Sequence, residues 1–159
     1  MLLVIARHGK AESDAPTGLD EDRPLRHRGL MQARWLGDRL ASFETPIEQL
    51  ISSRAIRANR TATAIGEACG LDVKHNDQLF IGKPADALID LVESLDAAAA
   101  CLVGHNFQLT DAVGILLGRQ IDPVRTGEGV VLEVDPADPI GTATLHDRLR
   151  LPREAAETI

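Results

Sequence analysis

The chain has 159 residues, 44% of them hydrophobic and 26% charged, a globular composition with length for one domain and a proper core. Seventeen Lys and Arg against 24 Asp and Glu leave a formal charge of −7, which argues against a nucleic-acid or anionic-membrane partner. Aromatic side chains are few (Trp35, Phe43, Phe80 and Phe107, with no Tyr), so base-stacking platforms are disfavoured and the core must be Leu, Ile, Val and Ala.

The elements can be taken in chain order. Residues 2–6 are an apolar run that reads as a short buried strand. Arg7-His8-Gly9 follows at once, so a His stands at the strand's C-terminal end, the edge of an open α/β sheet where ligands bind. Residues 10–28 read as a long polar loop with Pro16, Gly18 and Pro24, and loops of this length inside a compact domain are usually functional. A helix is predicted over 29–43, with Met31, Trp35, Leu36 and Leu40 at helical spacing. Ile47 to Ile51 make a second strand. Ser52 or Ser53 then offers an N-cap for a helix over 54–69, closed by Gly70.

A short strand is predicted from Val73 to His75. Pro84 suits the first turn of a third helix, whose inner face presents Ala87, Leu88, Leu91, Val92 and Leu95. Residues 99–104 are the next strand, and Gly104-His105-Asn106 ends it as Arg7-His8-Gly9 ends the first. A helix over 107–118 is closed by Gly118. Val130 to Val134 and Thr142 to Arg148 read as two strands joined by a Pro-rich turn, and the tail after about residue 150 is expected to be loose. The alternation predicts an α/β protein: a three-layer α/β/α sandwich with a mainly parallel sheet, all in one domain. No stretch approaches 18 apolar residues, so no membrane span is expected. The first apolar run is short and lacks a preceding basic region, so it is not read as a signal peptide. Cys69 and Cys101 have no metal-ligand spacing and read as reduced thiols of a cytoplasmic protein.

Neither a Gly-x-Gly-x-x-Gly nor a Walker-type Gly-Lys-Ser/Thr occurs, so the usual nucleotide sites are not indicated. What the sheet edge does gather is Arg7 and His8, the helix-opening stretch Ser53-Arg54-Ala55-Ile56-Arg57, and His105. Arginines beside a helix N-terminus make an anion site, because guanidinium groups give bidentate hydrogen bonds to phosphate oxygens. A neutral imidazole beside a bound phosphoryl group can attack it, since its ordinary pKa is about 6.5. The second His would donate a hydrogen bond to the group in transfer. No metal or other cofactor is required, and no carboxylate cluster for Mg²⁺ is evident.

Arg7-His8-Gly9, the run Ser53 to Thr61 and Gly104-His105-Asn106 together resemble the three signatures of the histidine phosphatase superfamily, the phosphoglycerate-mutase-like fold. The short chain, Asp22-Arg23-Pro24-Leu25 with Gly29 after it, and Arg125-Thr126-Gly127 narrow the likeness to SixA-type phosphohistidine phosphatases. The resemblance runs from residue 2 to about 149. It implies that His8 is the phosphorylated nucleophile, that Arg7 and Arg57 clamp the phosphoryl oxygens, and that His105 completes the pocket. It places Arg23 as a substrate-binding residue reaching in from the long loop, with Ser53 or Asn106 orienting the pocket.

Two departures are informative. Larger members that hydrolyse phosphate esters usually have an acid after the third strand. Here that region reads His75-Asn76-Asp77-Gln78, so Asp77 is a weak candidate acid and otherwise a turn residue. Phe107 stands where a Pro often follows. An alcohol leaves as a strongly basic alkoxide unless protonated, whereas imidazole has a conjugate-acid pKa of only about 6.5 and needs no enzyme acid. The favoured reading is therefore a metal-independent phosphatase acting on phosphohistidine in another protein. A broad phosphatase of small phosphate esters is the alternative within enzymes, and a phosphoprotein-binding module without turnover is the alternative outside them. The oligomeric state stays open.

Overall fold

A computed structural model describes residues 1–153, so most of the tail expected to be loose lies outside the described residues. Six strands form one sheet: β1 (Leu2–Arg7), β2 (Gln49–Ser52), β3 (Val73–His75), β4 (Ala99–Gly104), β5 (Gly129–Glu133) and β6 (Thr144–Leu149). Their order across the sheet is β3-β2-β4-β1-β5-β6. The first four in chain order are parallel to one another, while β5 runs antiparallel to β1 and β6 antiparallel to β5. The sheet is thus mixed, with the expected parallel part and a C-terminal hairpin.

Among the described residues, four helices cover both faces: α1 (His27–Ala41), α2 (Ile56–Cys69), α3 (Ala85–Glu93) and α4 (Gln108–Leu117). Side chains alternate along the central strands, so each strand feeds two cores. Leu3, Ile5, Ala100 and Leu102 pack with Leu88, Val92, Leu109 and Leu116 of α3 and α4. Val4, Ala6, Cys101 and Val103 pack with Leu36, Leu40, Ala58 and Ile65 of α1 and α2. The helix placement follows from right-handed crossovers. The chain moves outward from β1 through β2 to β3, then reverses and inserts β4 between β1 and β2, and the reversal puts α3 on the opposite face from α1 and α2.

Several element limits differ from the sequence expectation. Helix α1 starts at His27 and ends at Ala41, two residues earlier at each end than predicted. It begins where the preceding segment stops bonding to itself, since the Arg26 N–H donates to the Lys10 carbonyl at 2.9 Å. Neither Ser52 nor Ser53 caps α2: the N-cap position falls on Ala55. The predicted loop 10–28 is folded as a flap, with an Ala11–Leu25 bridge and a 3-10 turn over Asp20–Asp22. Gly70 and Gly118 close α2 and α4 in the left-handed region, with φ of 71° and 74°. Among the described residues no helix is long and apolar enough to cross a membrane.

Candidate active site

Strand order explains why distant residues meet. Because β4 lies between β1 and β2, their C-terminal ends stand side by side with Arg7 level with Gly104. The backbone continues this zip one step past the strands: His8 N–H donates to Gly104 O at 3.2 Å, and Ser53 N–H to Val103 O at 3.0 Å. His8 and His105 leave adjacent parallel strands, and their rings are 5.3 Å apart between centroids. Both are nearly fully buried, as is Arg57, at 6%, 4% and 4% exposure.

The His8 ring is held in one tautomer. Its Nδ1 lies 2.7 Å from the Gly9 carbonyl. A carbonyl only accepts, so Nδ1 holds the proton and Nε2 presents a lone pair. Arg57 donates its Nε–H to that Nε2 at 3.3 Å. Burial, which disfavours charge, pushes the His8 pKa down to about 4; the Gly9 hydrogen bond opposes this, and Arg57, Arg7 and Arg23 reinforce it. Burial also lowers His105, to about 3, with His8 and Arg57 adding to the effect. Both rings are neutral at physiological pH.

His105 Nε2 is 2.8 Å from the Ser53 hydroxyl. That hydroxyl oxygen also accepts the Ala55 N–H at 3.2 Å. His105 Nδ1 is a buried atom with no partner among the described residues. Arg7 has the same character. Its Nη1 donates to the Val124 carbonyl at 3.2 Å, but its Nε is buried and unpartnered among those residues. Burial, followed by the charge of Arg57, lowers the Arg7 pKa. Unpaired buried polar atoms and two guanidiniums in one place are costly without an anion to receive them. The donor set fits a phosphoryl group.

One carboxylate does reach the clamp. Asp20, in the flap's 3-10 turn, receives Arg57 Nη2 on Oδ2 at 3.0 Å, and its main-chain oxygen receives Nη1 at 2.7 Å. Its Oδ1 takes the Arg23 Nε–H at 2.8 Å. Partial burial works to raise the Asp20 pKa, but the hydrogen bonds and charges of Arg57 and Arg23 outweigh it and leave it below its usual value. Arg23 also donates to Glu12 O at 2.9 Å, so it holds the flap as well as facing the site.

The remaining expected residues support or flank this centre. Asn106 donates to Val124 O at 2.8 Å and accepts from the Thr110 hydroxyl at 2.8 Å, so it ties the start of α4 to the segment that holds Arg7. Asp77 lies outside the ring of contacts: its Oδ1 pairs with Arg54 Nε at 3.1 Å, with a side chain 71% exposed. Arg54 itself also pairs with Glu21 and lies 4.0 Å over the Phe80 ring, on the rim. A cleft of about 210 Å³ opens beside His105, lined by Phe80, Lys83, Pro84 and Phe107 among others. Among the described residues no three His, Cys, Asp or Glu side chains gather as a metal site.

Two participants were not singled out from the sequence. Asp20 was hidden in a charge-rich stretch, and its only local signal is its place three residues before Arg23. Thr61 accepts the Gly9 N–H at 3.0 Å and donates to Arg57 O at 2.8 Å, fastening the loop after His8 to the helix that carries Arg57. Its signal was its position one turn after Arg57.

Residues 3–80 match the model of the histidine phosphatase superfamily (branch 1), a stretch that includes Arg7, His8 and Arg57. The fold extends the likeness past His105. The structure of the protein histidine phosphatase SixA complexed with tungstate superposes with a TM-score of 0.84 over 94% of this chain and 97% of that one, at 22% identity. A mycobacterial glucosyl-3-phosphoglycerate phosphatase, Rv2419c, superposes with a TM-score of 0.71 over 91% and 96%, at 19% identity. By sequence the chain is 35% identical over 79 residues to the "Probable phosphoglycerate mutase GpmB" of Salmonella choleraesuis (strain SC-B67); the match takes in 48% of this chain and 36% of that protein's length. Over residues 3–80, just under half of the chain, the sequence matches the histidine phosphatase superfamily, and over nearly its whole length the fold is similar to those solved structures.

Proposed function

We propose that the protein is a phosphatase working through phospho-His8, with a phosphohistidine on another protein as its substrate. The observation that supports this most is the fixed His8 tautomer, which aims a neutral Nε2 lone pair beside Arg57. The incoming phosphoryl oxygens take the place of Asp20 on Arg57 and engage Arg7 Nε and His105 Nδ1. The Nε2 lone pair forms the new P–N bond while the substrate's P–N bond breaks, and the substrate ring, protonated from solvent on its other nitrogen, leaves with that electron pair as neutral imidazole. Water then attacks phosphorus, the P–Nε2 bond breaks, inorganic phosphate departs and His8 returns neutral. The guanidiniums neutralise charge on the equatorial oxygens in both steps.

The choice of phosphohistidine rests on the leaving group. Asp20 is ionised at neutral pH, held so by Arg57 and Arg23, and has no proton for an alkoxide. The small-ester reading needs a proton donor for the departing alcohol, which an ionised Asp20 still held by Arg23 does not supply. Assaying the purified protein with EDTA against a phosphohistidine protein and a panel of phosphate esters tests both, with His8→Ala in parallel. The expected result is chelator-resistant turnover of the phosphohistidine protein that His8→Ala abolishes. Full activity in the variant rejects the mechanism, a strong preference for esters rejects the substrate only, and binding without turnover in the intact protein favours the non-catalytic module.

A further inference from the structure

The protein has a net charge of −7, yet four arginines line one cleft of about 530 Å³ beside the candidate site: Arg28, Arg125, Arg150 and Arg153. Arg28 stands in the first turn of α1, Arg125 in the turn before β5, and the other two follow β6. Gln32 and Thr126 complete the polar walls. Of the guanidiniums of Arg28, Arg125 and Arg150, only that of Arg150 meets a carboxylate among the described residues. Glu128, only 1% exposed, receives Arg148 at 2.9 Å on each oxygen and lies 3.8 Å from Arg150, so one carboxylate serves two guanidiniums. No ion pair to Arg28 or Arg125 occurs among the described residues.

The cleft is built onto the nucleophile's support. Gly127, next to Thr126, donates its N–H to the carbonyls of Arg7 and His8, at 3.1 and 2.9 Å. Gln32 accepts the Lys10 N–H at 2.9 Å, two residues beyond His8. These contacts put the cleft next to the His8 loop.

We propose that the cleft is a docking site for an acidic surface of the phosphorylated protein substrate, whose carboxylates pair with Arg28, Arg125 and Arg150. This deepens the phosphohistidine reading and rests on it. Guanidinium forks suit carboxylates, and a basic patch on a protein of net negative charge orients an acidic partner. The patch sets encounter and affinity, and the chemistry at phosphorus is left untouched.

The test pairs Arg28→Glu/Arg125→Glu with the unaltered protein in two arms. In the first, fluorescent poly-L-glutamate is titrated at low and high salt. Salt-sensitive binding that the double variant loses supports the cleft. In the second, turnover of a phosphohistidine-containing phosphotransfer domain is compared with that of phosphoramidate. The expected result is a KM raised about tenfold or more for the protein substrate with kcat held, and unchanged phosphoramidate turnover. Equal loss on both substrates, or no loss on either, overturns the docking site. So does binding of pyrophosphate without polyglutamate, or a dimer that the double variant dissolves, since these name a small anion or a second copy as occupant. If polyglutamate binding behaves as expected but the phosphoprotein is not turned over, the cleft stands and the substrate reading falls.

Discussion

At the scale of single residues, Asp20 already occupies Arg57, where the proposed phosphoryl group would bind. All three kinds of guanidinium nitrogen are engaged without substrate: Nε on His8, Nη1 on the Asp20 carbonyl and Nη2 on its carboxylate. Asp20 is 56% exposed, so its hold is weakened by water and a phosphoryl dianion can displace it. Asp20→Ala should therefore bind tungstate more tightly, by about two- to fivefold in inhibition constant. Weaker binding would show instead that Asp20 positions the clamp. Arg57→Lys keeps the charge but loses the fork that reaches His8 and the phosphoryl oxygens together. Its kcat/KM should fall about 100-fold, with the fold intact by circular dichroism.

At the scale of elements, the decisive contact is between the end of β1 and the start of α1. A Cβ added at Gly9 would overlap the Gly29 carbonyl, and one added at Gly29 would overlap the backbone of Lys10. Two glycines facing each other let the loop after His8 lie flat on the helix, where Thr61 of α2 then takes the Gly9 N–H. Gly29→Ala would ordinarily strengthen a helix by about 1 kcal/mol. Here the sign should reverse, to a loss of about 1–3 kcal/mol measured by urea denaturation, because neither backbone can yield cheaply. A variant as stable as the parent would mean that the two segments part without cost.

At the scale of the whole molecule, two neutral imidazoles are buried against arginines at the sheet edge. The unfolded chain protonates these histidines near pH 6.5, whereas the folded protein holds His8 neutral down to about 4 and His105 down to about 3. Between those limits the unfolded state binds more protons, so stability must fall as pH drops from about 6.5 toward 4. Asp20, with its lowered pKa, acts in the same direction at more acidic pH. Denaturation midpoints should be level from pH 8 to 7 and decline steadily below. A midpoint unchanged between pH 7 and 5 would contradict the burial of these rings in neutral form.

The sequence by itself determined which residues stand at strand ends, because an apolar run stopping at Arg7-His8 or Gly104-His105 is a local pattern. It likewise determined that α2 opens behind β2 with Arg57 in its first turn, and that Gly70 and Gly118 end their helices. The order β2-β4-β1 was not legible, since it depends on which way each crossover turns and on which helix face finds the sheet. Only the tertiary structure decided that Ser53, His105 and His8 stand abreast, that Asp20 folds back onto Arg57, and that Asp77 pairs with Arg54 on the rim. It alone gathered Arg28, Arg125 and Arg150 into one cleft from opposite ends of the chain. Charged side chains at loop ends have no periodicity to betray their partners; their neighbours are chosen by packing.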